Sequence, residues 1–188
     1  DVILSTPLIR EIKRTFPDSF LAVMVNPYAK DVLVNNPNIN KILLDNSNNT
    51  SLKYFFQQVK IIKSYKFDTA MMLLPTERHS WMLFLAGIRN RIGVGTKLYQ
   101  VLTFTKSVSR NKYIPLRHEA DYCMDFGRRI GINPLSLDTE IFITEEEKKE
   151  FINIHKEKFK YFDHLSNLKI IGIHPGSNKS APNWKIEN

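Results

Sequence analysis

Short apolar, β-branched runs alternate along this chain with longer stretches of helical period, the pattern of a parallel α/β sheet. The first helical stretch spans Thr6 to Phe16. Ser5 or Thr6 can cap it, Pro7 suits its first turn, and Leu8, Ile9 and Ile12 form an inward face. Pro17 and Asp18 stop it. Phe20 to Val25 reads as a buried strand, Asn26-Pro27 turns into a short helix over Tyr28 to Val34, and Lys41 to Leu44 is the next strand. Ser51 to Tyr65 has the plainest helical period, with Leu52, Phe55, Phe56, Val59 and Ile62 on one side. Phe67 to Leu74 is a strand closed by Pro75, Glu77 to Ala86 a helix, and Ile92 to Val94 a short strand whose Gly93 and Gly95 serve turns.

From Tyr99 to Leu116 the period weakens, and the expectation is a loop. His118 to Arg129 resumes helical spacing with Tyr122, Phe126 and Ile130 together. Glu145 to Phe159 is a charged helix, with Thr144 and Glu147 forming a capping box. A polar linker over Asp163 to Asn167 leads to a strand at Lys169 to His174 and then Pro175-Gly176-Ser177. That strand and turn open a second α/β unit with too few residues left for the roughly 30 of one βαβ element. Asp1 leads straight into a helix signal, so the expected first unit lacks its first strand. The predicted domains are therefore 1–165, a Rossmann-like sheet, and 166–188, the beginning of another.

Composition narrows the classes. Hydrophobic residues at 43% and charged ones at 24% are those of a globular chain. Cys123 is the single cysteine, so no intrachain disulfide or Cys-based zinc site can form. The longest apolar stretch, Trp81 to Ile88, falls well short of the roughly 18–20 residues of a spanning helix. Asp1, Pro7 and Arg10 break any signal-peptide core. The formal charge of +8 points to an anionic partner: nucleic acid, phosphorylated metabolite or acidic membrane surface.

In open α/β sheets ligands sit beyond the carboxyl ends of strands, where loops enter helices. Asp1, in the loop before the first helix, is placed to act as a general base or simply to complement the helix dipole. His174 to Ser180 follows a strand in the same way. Gly176 allows close approach of backbone amides to a phosphate, Ser177 and Ser180 can donate hydrogen bonds, and Lys179 supplies charge. A serine-capped turn explains those residues as well. Arg78 and His79 stand just past another strand end. There is no P-loop, GxGxxG or GxSxG, and the five histidines lack metal-ligand spacing, so no metal is expected. Basic residues are spread without a concentrated arm or aromatic interleaving, which argues against nucleic acid.

Four segments, in order, resemble the bacterial glycosyltransferase family 9, the ADP-heptose:lipopolysaccharide heptosyltransferases: DVILSTPLIREIKRTFPDSFLAVMV, YKFDTAMMLLPTERHSWMLFLAGIRNRIGVG, RHEADYCMDFGRRIGI and IGIHPGSNKSAPNW. The resemblance implies a GT-B enzyme of two Rossmann-like domains, here the N-terminal acceptor domain and the start of the donor domain. It implies inverting transfer of heptose from ADP-heptose to the lipopolysaccharide core or lipid A acceptor, without metal or resident cofactor. Asp1 then corresponds to the base, Gly176, Ser177, Asn178 and Lys179 to the donor-phosphate loop, and Arg78 and Thr6 to the acceptor side. Pro182 stands where members often carry a cation two residues before the Trp, and Lys179 is the nearest replacement. A cytoplasmic enzyme in peripheral contact with the inner membrane is expected, and the 188-residue piece itself is expected to be inactive. The competing class is a non-enzymatic α/β module that binds nucleic acid or another polyanion.

Overall fold

The structure is a computed structural model that describes residues 2–95, 97–108 and 117–155. The chain divides into two compact units, 1–142 and 143–188. The expected boundary at 165/166 and the strand at Lys169 to His174 lie outside the described residues, while the charged helix expected to run to Phe159 ends at Ile154, with His155 as its C-cap.

The first unit is a mixed α/β fold with parallel strands, as the alternation predicts. A 3-10 turn, Val2–Ser5, leads into α1 (Thr6–Thr15), with Pro7 in its first turn. Strand β1 (Ala22–Val25) is followed by a 3-10 helix (Pro27–Val32) capped by Asn26, and then by β2 (Lys41–Leu44). Helix α2 (Leu52–Ser64), β3 (Thr69–Met72), α3 (Glu77–Leu85) and β4 (Asn90–Val94) continue the alternation. Helix α4 (Leu98–Leu102), β5 (Lys106–Val108) and α5 (Glu119–Arg129) complete it. In one sheet β1 and β2 pair in parallel, Ala22 opposite Lys41. In the other the order is β3-β4-β5, with Thr69 opposite Asn90 and Ile92 opposite Lys106.

Alternation along β3 shows how the layers form. Met71 packs with Leu8 of α1 and Met124 and Phe126 of α5, whereas Ala70 packs with Val59 and Ile62 of α2 and Met82 of α3. Successive strand residues point to opposite faces, so α1 and α5 cover one face and α2 and α3 the other. Gly127 permits the α1–α5 approach: a Cβ there would meet Leu8 Cδ1 at 3.0 Å.

Several expectations are corrected. The strand predicted over Phe20 to Val25 is shorter and only half-buried, because among the described residues β1 hydrogen-bonds to β2 alone. Leu52 and Phe56 are exposed although they share the helical stripe of α2, whose buried face is Gln58, Val59 and Ile62. Gly93 is a strand residue, not a turn. Its missing side chain leaves room for Gln100, whose Nε2 a Cβ would meet at 2.9 Å, while Gly95 does take a left-handed turn at φ +88°. The expected loop from Tyr99 contains most of α4 and all of β5; residues 109–116 lie outside the described set.

In the second unit, α6 (Glu145–Ile154) begins with the expected capping box. The Thr144 hydroxyl accepts from Glu147 N at 3.1 Å, and the Glu147 carboxylate accepts from Thr144 N at 2.8 Å. No helix among the described residues is long and apolar enough to cross a membrane.

Candidate functional site

Three strand ends converge on one carboxylate. Asp45 directly follows β2, and its amide donates to Val25 O at 3.0 Å, extending the β1–β2 ladder by one bond. Its side chain, only 2% exposed, receives a two-pronged guanidinium from Arg78: Nη1 to Oδ2 at 2.5 Å and Nη2 to Oδ1 at 3.1 Å. His79 Nε2 lies 2.9 Å from the same Oδ2. Both residues sit in the first turn of α3, which Thr76 caps by accepting from His79 N at 3.2 Å. The Thr76 hydroxyl also lies 2.8 Å from His79 Nδ1. An Nε2 proton shared with Asp45 leaves Nδ1 to accept from Thr76 when the ring is neutral, so both ring nitrogens are engaged.

Electrostatics decide the protonation state of Asp45. Burial pushes its pKa up, but hydrogen bonds from Arg78 and His79, reinforced by their charges, outweigh that and hold the carboxyl below its ordinary value. The aromatic residues of α2 form one wall. The Arg78 guanidinium carbon lies 5.7 Å from the Tyr54 ring centroid and 5.9 Å from that of Phe55, and Tyr54 Oη accepts from Asn46 N at 2.8 Å. Arg78 and His79 remain partly open to solvent, at 22% and 29%. Two of the five guanidinium N–H groups face Asp45, so the arrangement can hold a guanidinium at a fixed angle while others reach outward to an anion.

Thr6 has a different task. It is fully buried; its hydroxyl donates to Ile3 O at 2.8 Å and accepts from Glu140 N at 3.0 Å. It ties the entry of α1 to the segment at 138–140, so its hydrogen-bonding capacity is largely spent inside the fold. No hydrogen bond joins it to Arg78. Asp1, Gly176, Ser177, Asn178 and Lys179 lie outside the described residues. Among the described residues no three His, Cys, Asp or Glu side chains converge as a metal site. A shallow cavity of about 290 Å³, lined by Thr69, Asn90, Ile92, Lys106, Arg129 and Ile130, sits at the opposite, amino end of the strands.

Sequence reasoning named Arg78 and noticed His79 but passed over Asp45 and Tyr54. The available signal was a carboxylate placed directly after the apolar run Lys41 to Leu44, at the end of the sheet where ligands bind.

No protein-family model and no curated protein matches the chain. Solved structures do. A glycosyl transferase family 9 protein from Veillonella parvula DSM 2008 superposes with a TM-score of 0.63 at 22% identity, over 82% of this chain and 46% of that one. The ADP-heptose lps heptosyltransferase II of E. coli superposes with a TM-score of 0.53 at 16% identity, over the same shares. The fold is that of these glycosyl transferases. The chain spans less than half the length of either structure. In such a glycosyl transferase fold, the Asp45–Arg78–His79 cluster occupies the carboxyl end of the parallel strands, where open α/β sheets take their ligands.

Proposed function

We propose that this chain forms the acceptor-binding side of a glycosyltransferase that moves a sugar from a nucleotide-sugar donor to an anionic glycolipid, with ADP-heptose as donor and the lipopolysaccharide core as acceptor. The likeness of fold over 82% of the chain to a family 9 glycosyl transferase carries the reading.

In this reading Asp1 takes the proton of the acceptor hydroxyl as its oxygen attacks the anomeric carbon. The new C–O bond forms on the face opposite the leaving diphosphate, so the configuration inverts and the nucleotide leaves with the bonding pair. Negative charge grows on the diphosphate, and Gly176, Ser177, Asn178 and Lys179 supply amides, hydroxyl and ammonium to receive it. Arg78 meets an acceptor phosphate with the guanidinium edge that Asp45 leaves open. Thr6 acts by position, holding the helix entry that follows Asp1. The donor is a substrate, and the chemistry asks for no metal or resident cofactor.

Sugar transfer by the whole protein, followed with ADP-heptose and lipopolysaccharide core acceptor, tests the assignment. Replacing Asp1→Asn should lower kcat at least ~100-fold, within the range lost with a general base, while donor affinity stays unchanged. Unaltered turnover would remove Asp1 from the role of base.

A further inference from the structure

The chain carries 27 Lys and Arg against 19 Asp and Glu, and one stretch accounts for the whole excess. Residues 78–118 hold eight basic residues and no acidic one, leaving 19 of each sign elsewhere. Basic residues are spread along the chain; the acidic ones are what this stretch lacks. Within it, Arg78 is committed to Asp45, Arg117 to Asp121 and Asp125, and buried Arg91 to backbone carbonyls. Arg89, Lys97 and Lys106 are exposed.

The same stretch presents an apolar crest. Leu98, Val101 and Leu102 fall at i, i+3 and i+4 on α4, Phe104 follows, and all four are between 52% and 75% exposed. The residues between them are anchored. Gln100 is buried, donating to Val94 O at 3.0 Å and accepting from Lys97 N at 3.0 Å. Thr103 is fully buried, its carbonyl taking Arg91 Nε at 2.9 Å and Nη2 at 2.7 Å. Phe104 adopts a left-handed backbone at φ 51°. A rigid turn therefore holds four apolar side chains outward beside exposed cations.

We infer that the α4–β5 turn is a docking surface for an anionic lipid bilayer, with Leu98, Val101, Leu102 and Phe104 entering the headgroup–acyl boundary and Lys97, Lys106 and Arg89 meeting acidic headgroups. A lipid surface offers an apolar phase and negative charge together. A second copy of the chain would oppose one cationic face to another, and a nucleic acid has no apolar phase for leucines. Tyr99 Oη donates to Pro75 O at 3.3 Å, linking α4 to the loop that leads into α3 and Arg78. The inference stands independently of the sugar-transfer reading.

Vesicle flotation with the 188-residue chain tests it, using phosphatidylcholine alone and with about a third phosphatidylglycerol. Binding should require the acidic lipid. The double variant Leu102→Ser, Phe104→Ser should bind at least ~10-fold more weakly, by loss of apolar insertion. Lys97→Glu with Lys106→Glu should weaken binding ~25-fold or more, at roughly fivefold per charge, and guards against misfolding of the first variant. Leu52→Ser, on α2 and as exposed as Phe104, should bind as the parent does. Binding by either double variant equal to the parent's, no binding to either vesicle, or a crest whose replacement instead abolishes self-association or DNA binding would overturn the inference.

Discussion

Asp45 and Asp125 each accept hydrogen bonds from two basic side chains, yet they stand in different settings. Asp45 is 2% exposed, and its partners come from a helix that begins more than thirty residues later in the chain. Asp125 shares Arg117 and Arg128 with Asp121 along a single helix and its N-terminal approach, and both arginines are more than a third exposed. In both, burial raises the carboxyl pKa and the hydrogen-bonded partners, Arg78 with His79 or Arg117 with Arg128, more than reverse it, leaving each carboxylate below its ordinary value. The difference is what each pairing holds. The first locks β2 to α3 at the ligand end of the sheet, where a lost partner leaves a buried charge. The second dresses a helix surface that water can reach.

The largest effect should follow Asp45→Ala. Breaking a buried ion pair costs about 3–5 kcal/mol, and the partial exposure of Arg78 and His79 brings the expectation to the lower end, about 3 kcal/mol. In thermal melts this corresponds to a fall of roughly 6–12 °C. Because the folded-state pKa of Asp45 is depressed, its contribution is present above the unfolded value of about 3.9 and is lost as pH falls through the folded value. The gap between parent and variant should therefore close below about pH 4. A gap that persists in acid would show that packing, not charge, sets the cost. Asp125→Ala should cost less, under about 1 kcal/mol, since solvent screens its partners. Salt should shrink that cost further. Equal losses at the two aspartates would erase the distinction drawn between them.

Much of this was legible in local pattern. Lys41–Leu44 as a strand, Pro7 in the first turn of α1 and the Thr144–Glu147 capping box all depend on neighbours within a few residues. Helix α4 and strand β5 were not legible, because the apolar residues of α4 face outward while Gln100 and Thr103 are buried, which inverts the usual signal. Leu52 and Phe56 misled for the same reason: an apolar stripe reports what can be buried, not what is. Arg78 and Asp45 each stand at a strand end that can be picked out locally, but their pairing could not be read, since a contact across so much chain leaves no periodic trace. The fold was therefore more legible than the site.

The most direct test uses the whole protein with ADP-heptose and lipopolysaccharide core, comparing parent and Arg78→Lys. Lysine keeps the charge and loses the fork that engages Asp45 and a phosphate together. The expected result is transfer by both proteins, with the acceptor KM raised about tenfold in the variant, the loss of roughly one charge-assisted hydrogen bond, and the donor KM unchanged. No transfer by the parent, or an unchanged acceptor KM in the variant, would contradict an acceptor site built on Arg78.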